Sequence, residues 1–188
     1  MTTASLADYQ LIQTLRGVGV LKDLEGPRIP AERGTIVIPC ADGDRITDLL
    51  TKHWGVCDGH PCHHTLSLNG GPLLIPESSP IAKLGEGQII KEHAYGGHRL
   101  KAVTTVMLYG HWPCGAAITN GLSLYDALVC CVSAKDEMRT FLQSRGIEPT
   151  VILCFHVDYA DGRKKSYYFD RRAWNAWQAS KASIQAAE

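Results

Sequence analysis

A chain of 188 residues with 45% apolar content can bury one sizeable core, and that composition excludes disorder as the default. Nineteen Lys and Arg balance 19 Asp and Glu, which leaves no broad basic surface to grip nucleic acid or an anionic membrane. No apolar run is long enough to cross a bilayer, and Met1 to Gly17 lacks a basic segment followed by a long apolar one. The expectation is a cytoplasmic protein with a small-molecule partner.

Residues 4–16 predict a short amphipathic helix with Leu6, Tyr9, Ile12 and Leu15 roughly along one side, closed by Gly17 and Gly19. Residues 24–34 carry Gly26, Pro27, Pro30 and Gly34 and predict an extended connection. The β-branched run Thr35 to Pro39 predicts a buried strand that leads into Cys40. A helix is expected over 45–53, with Ile46, Leu49 and Leu50 inward, Asp44 as its cap and Gly55 as its stop. The irregular stretch 55–80 ends in a short strand expected at Pro72 to Ile75. Residues 86–95 predict a helix, and Ala102 to Tyr109 a second buried strand that ends at Gly110-His111.

Residues 123–144 give the strongest helical signal: Ser123 can cap it, and Leu124, Leu128, Cys131, Met138 and Leu142 recur at helical spacing. Thr150 to His156 predicts a third strand, and Ala160-Asp161-Gly162 turns the chain so that Lys165 to Phe169 can return beside it. Residues 171–186 predict a last helix with Trp174, Trp177 and Ile184 on one side. Strands alternate with helices, so the expected fold class is α/β, a mixed sheet with parallel core strands flanked by helices. One domain spans 1–188, divided into an N-terminal helical arm (1–33), a core (34–170) and a C-terminal helix (171–188).

Seven cysteines and eight histidines are many for a reducing compartment, where such residues serve as ligands, catalytic groups or core fillers. Two buried strands end in metal-capable residues. The first delivers Cys40, with Asp42 two residues on; the second delivers His111 and Cys114. Side chains beyond the carboxyl ends of parallel neighbours converge. Thiolate, imidazole and thiolate together favour zinc and leave a fourth position for water or for the Asp42 carboxylate.

These segments resemble the beta-class carbonic anhydrases. That family pairs a C-x-D-x-R segment after one strand with an H-x-x-C segment after another. Here the first reads Cys40-Ala41-Asp42-Gly43-Asp44-Arg45 and the second Gly110-His111-Trp112-Pro113-Cys114-Gly115. Leu68-Asn69-Gly70-Gly71 is similar to the family's R-N-A-G segment, and Val157 to Gly162 to its terminal hairpin. The resemblance implies Zn2+ on Cys40, His111 and Cys114, and hydration of carbon dioxide to bicarbonate by a zinc-bound hydroxide. It also implies Asp42 as the residue that orients or releases the bound water. A homodimer or higher homo-oligomer is implied too, with the N-terminal arm lying on the partner.

The family's arginine falls two residues after its aspartate; here that position is Asp44, and Arg45 stands one place further. Two outcomes follow. Arg45 can rebuild the pair with Asp42, which makes both catalytic. Otherwise Asp42 stays on zinc as a fourth ligand and the site is closed and non-catalytic. Carbonyl sulfide or carbon disulfide is an alternative substrate for the same site. The tract Cys57, His60, Cys62, His63 and His64 has the spacing of a second metal site or of proton carriers near the mouth of the first. Cys130, Cys131 and Cys154 are expected to be core fillers, and His156 an ordinary polar-face residue.

Overall fold

The structure is a computed structural model and describes residues 4–24, 29–31, 33–59 and 63–185. In chain order the elements are α1 (Leu6–Gly17), β1 (Leu21–Asp23), β2 (Ile29–Ala31), β3 (Thr35–Pro39), α2 (Gly43–Val56), β4 (Cys57–Gly59) and β5 (His63–Thr65). After a 3-10 turn at Gly71–Leu74 come α3 (Glu86–Lys101), β6 (Thr105–Trp112), α4 (Gly115–Thr119), α5 (Leu124–Ser144), β7 (Thr150–Asp158), β8 (Lys164–Phe169) and α6 (Arg171–Gln185). The main sheet has six strands in the order β1-β8-β7-β6-β3-β5. Its centre is parallel, with β3 flanked by β5 and β6 and β6 by β7, while β8 and β1 are added antiparallel. A separate parallel pair joins β2 to β4. The expected mixed α/β sheet is the observed one.

The central strands read as unbroken apolar runs because both of their faces are covered. Ile36, Ile38, Val106, Leu108, Leu153 and Phe155 point into the larger core, beneath α5 and its neighbours. Val37, Met107, Tyr109 and Cys154 alternate to the other face, where Leu49 and Val56 of α2 cover them. Cys131 and Cys154 are fully buried fillers as expected, and Cys130 is half-buried. Helices α1 and α5 each open on a capping box, Ser5 with Asp8 and Ser123 with Asp126. Trp174 and Trp177 pack inward against Tyr125, and Trp174 also against Phe169. Ile184 and Asp44 have side chains outside the described set.

Two expectations change. The apolar run at Pro72 to Ile75 is not a strand. Gly70 and Gly71 both take positive φ, and Pro72 at the first helical positions winds the chain into a 3-10 turn. The N-terminal arm rests on its own chain: Ile12 and Leu15 are fully buried in the main core, Leu6 points outward, and β1 pairs with β8. The second half of the α1 stripe, Ile12 and Leu15, is therefore used within the protomer, while Leu6 and Tyr9 stay exposed. Among the described residues, no helix is long and apolar enough to cross a membrane.

Candidate metal centre

Strands β3 and β6 run parallel in a register that sets Pro39 beside Tyr109. Cys40 and His111 therefore emerge at the same end of the sheet. Cys114 follows at the cap position of α4, beyond a cis Trp112–Pro113 peptide. All three side chains are buried, and their ligand atoms lie within 4.8 Å of one another. At zinc–sulfur and zinc–nitrogen bond lengths, tetrahedral ligand atoms stand about 3.5–3.8 Å apart, so small side-chain rotations close this set on an ion. Among the described residues it is the only group of three or more His, Cys or carboxylate ligands so arranged.

The electrostatics fit a cation. Both ring nitrogens of His111 are buried without a hydrogen-bond partner, a costly state that a metal bond relieves at one nitrogen. Cys40 is driven towards thiolate, first by a hydrogen bond from Cys114, then by His111 and the Gly70 amide, against its burial. Cys114 is pushed up by the same shared proton and by burial. One thiol is thus ready to ionise, and a metal displaces the proton on the other.

The backbone beneath the ligands needs its glycines. Gly70 donates its N–H to Cys40 Sγ at 3.2 Å. Gly71, at φ +51°, lies so close to the strand end that a Cβ would stand 2.6 Å from the Cys40 nitrogen. Leu68 meanwhile accepts from Ala41 N at 3.0 Å and bridges to Cys40. The Leu68-Asn69-Gly70-Gly71 segment is therefore a seat for the first ligand. A Cβ on Gly110 would stand 2.6 Å from Cys131 Sγ, so this glycine lets α5 approach the strand just before His111.

Asp42 sits outside the ligand cluster. Its carbonyl accepts from Arg45 N and Ile46 N, which starts α2, and its Oδ2 meets Arg45 Nη1 at 2.6 Å. The helix start brings Arg45 back one turn onto Asp42, so the pair forms at a spacing of three. Arg45 is 6% exposed and touches a second carboxylate: its Nε lies 2.9 Å from Asp158 Oδ2. Asp158 Oδ1 is 3.2 Å from His156 Nε2, and His156 Nδ1 bonds Ser166 Oγ at 2.9 Å. The Arg45–Asp158 and His156–Asp158 approaches lack hydrogen-bond geometry and act as charge contacts. Burial alone would raise the Asp158 carboxyl; His156 and Arg45 outweigh it and hold the group below the usual carboxylate range. His156 is thus a buried partner rather than an ordinary polar-face residue. The signal in the sequence was the spacing Cys154, His156, Asp158, which puts all three on the α2 face of β7.

The dense Cys/His tract lies elsewhere. His63 pairs in register with Thr35, the first residue of β3, so it sits about 16 Å along the strand from Cys40. His63 Nδ1 and His53 Nε2 both meet Thr35 Oγ1 at 2.8 Å, and they lie 3.1 Å apart. His53 Nδ1 bonds Tyr109 OH at 3.0 Å, and Cys57 Sγ is 3.4 Å from His53 Nε2. Burial, then His63, lowers His53 to about 4; burial lowers His63 and pushes Cys57 up to about 11. In each case burial disfavours the charged form. His64 faces the other way, towards Gly97 of α3. Both histidines pair with the first residues of β3, the end of that strand away from Cys40. His60 and Cys62 lie outside the described residues.

No family model and no curated protein matches the chain. Several solved structures overlap it loosely. The beta-carbonic anhydrase CcaA superposes with a TM-score of 0.39 at 12% identity, covering 88% of this chain and 84% of that one. A carbonic anhydrase from Streptococcus mutans gives 0.37 at 13% identity, with 88% and 99% covered. Beta-carbonic anhydrase isoform I from Trichomonas vaginalis gives 0.36 at 12%, with 90% and 99% covered. Superpositions this loose carry no functional weight, and the chemistry of the site has to supply it.

Proposed function

We propose that the chain holds one zinc ion on Cys40, His111 and Cys114 and hydrates carbon dioxide to bicarbonate, as a zinc lyase of the carbonic anhydrase type. The observation that carries this reading is the Arg45–Asp42 pair at 2.6 Å beside a buried three-ligand set. An aspartate held by arginine is drawn away from service as a fourth ligand, and that favours an open position over a closed structural site. Zinc bound there would supply the means to lower the pKa of a coordinated water to near neutrality.

The protein's own part is positional. Asp42, held beside Arg45, is assigned to take a hydrogen bond from the nucleophile. Carbon dioxide is neutral and carries no donor, so the site needs no cation to grip it. Each turnover releases one proton, and Asp42, two residues from Cys40, is the first acceptor we assign to it. Assembly as a homodimer or larger is part of the proposal. Its support is β5, an edge strand among the described residues, beside an apolar hollow of about 240 Å³ that includes Leu66, Leu68 and Ile89.

The test is stopped-flow hydration of carbon dioxide by zinc-loaded protein, with Asp42→Asn as control and carbonyl sulfide and carbon disulfide as further substrates. The expected result is turnover of carbon dioxide that falls about 10- to 100-fold in the variant. Turnover of a sulfur substrate alone would move the assignment to a hydrolase. Full zinc occupancy with no turnover of any of the three would leave a non-catalytic zinc protein.

A further inference from the structure

We propose that Asp158 is a positioning residue for the metal centre, acting through Arg45 on Asp42. The inference rests on the open-site reading above and extends it to a strand that carries no metal ligand. Arg45 projects from the first turn of α2 and meets two carboxylates, Asp42 through a hydrogen bond from Nη1 and Asp158 through a charge contact beside Nε. A guanidinium is a rigid plane. One carboxylate leaves it free to swing about that contact, whereas a second negative charge 2.9 Å from Nε opposes that swing by charge attraction.

Asp158 is itself held. It lies at the end of β7, its second oxygen faces His156 Nε2, and His156 is anchored to Ser166 on β8. The contacts run unbroken from the β7–β8 hairpin to the residue two places after Cys40. A simple pin between α2 and the sheet would need one carboxylate. Partly desolvating a second negative charge beside the same guanidinium costs free energy that a pin does not require, and orientation accounts for it.

A double-mutant cycle on the full chain, loaded with cobalt(II) in place of zinc, tests the inference. Azide is the probe: a small anion that enters an open metal position and changes the visible spectrum of the cobalt. Wild type is expected to bind azide. In Asp158→Asn the loosened Arg45 lets Asp42 compete for that position, and azide affinity is expected to fall about 10-fold. Arg45→Met is expected to weaken azide at least as much, and adding Asp158→Asn to it should change affinity by less than about twofold.

Should Asp158→Asn fail to fold by circular dichroism, His156→Gln keeps both carboxylates and Arg45 but removes the anchor of Asp158. It is expected to weaken azide by roughly threefold. Wild-type azide affinity in Asp158→Asn, or effects of Asp158→Asn and Arg45→Met that simply add, would overturn the positioning role. A wild-type cobalt protein blind to azide would instead sink the open-site reading, and this inference with it.

Discussion

Gly71→Ala is expected to be among the most damaging single-methyl changes in the protein, and its cost can be built from two parts. At φ +51° an L-residue bears a left-handed penalty of about 1–2 kcal/mol. The new Cβ would also stand 2.6 Å from the Cys40 nitrogen and 2.7 Å from the Pro39 carbonyl carbon. Those are backbone atoms of the strand end, which cannot rotate aside, so overpacking adds about 1–3 kcal/mol. The expected loss is about 2–5 kcal/mol, a large part of a domain's stability. Gly121→Ala separates the parts, since Gly121 has φ +75° with nothing within 4 Å and should show the conformational part alone. Urea unfolding of both variants gives the difference, and zinc titration should show weaker binding only in Gly71→Ala, because the Gly70 amide is shifted from Cys40 Sγ. If Gly71→Ala is no less stable than Gly121→Ala, the close seat of this loop on Cys40 is wrong.

Cys114→Ser should abolish stoichiometric zinc, since loss of a thiolate leaves two strong ligands; elemental analysis showing one zinc per chain in this variant would reject the ligand set. Stability should fall as the solution is acidified from pH 6.5 towards 4. An unfolded histidine takes a proton near 6.5, whereas His53 in the folded chain refuses it down to about 4, so neutral His53 contributes fully above 6.5 and progressively less below. The contribution at stake is roughly 3 kcal/mol at most, and His53→Gln should flatten that part of the pH–stability curve in urea melts. A curve for His53→Gln that parallels wild type would refute the assignment.

The candidate ligands Cys40, His111 and Cys114 are legible because they follow apolar runs whose burial on both faces leaves a plain sequence signal. The Asp42–Arg45 pair was half legible: a spacing of three brings residues together only if the helix has already begun at Gly43, and sequence alone left that open. Asp158 and His156 escaped because their partners are on α2 and β8, over a hundred residues away in one case. His53 looked like one more helix residue, and only the fold shows that it meets Thr35, His63 and Tyr109. Strands β1, β2, β4 and β5 have three residues each, too short for a period of two to show. The apolar composition of Pro72 to Ile75 suggests a strand, while the positive φ at Gly70 and Gly71 decides the shape.

Helix α2 touches two polar systems, Arg45 in its first turn and His53 in its last. Eight residues of helix make a lever arm of about 12 Å between them. A tilt of only about five degrees at the His53 fulcrum carries the Arg45 end through roughly 1 Å, a displacement on the scale that costs catalysis 100-fold. The Thr35–His53–Tyr109 network thus anchors the far end of the helix that carries Arg45, and in the proposed site a change at any of its members is expected to reach Asp42 without touching a candidate ligand.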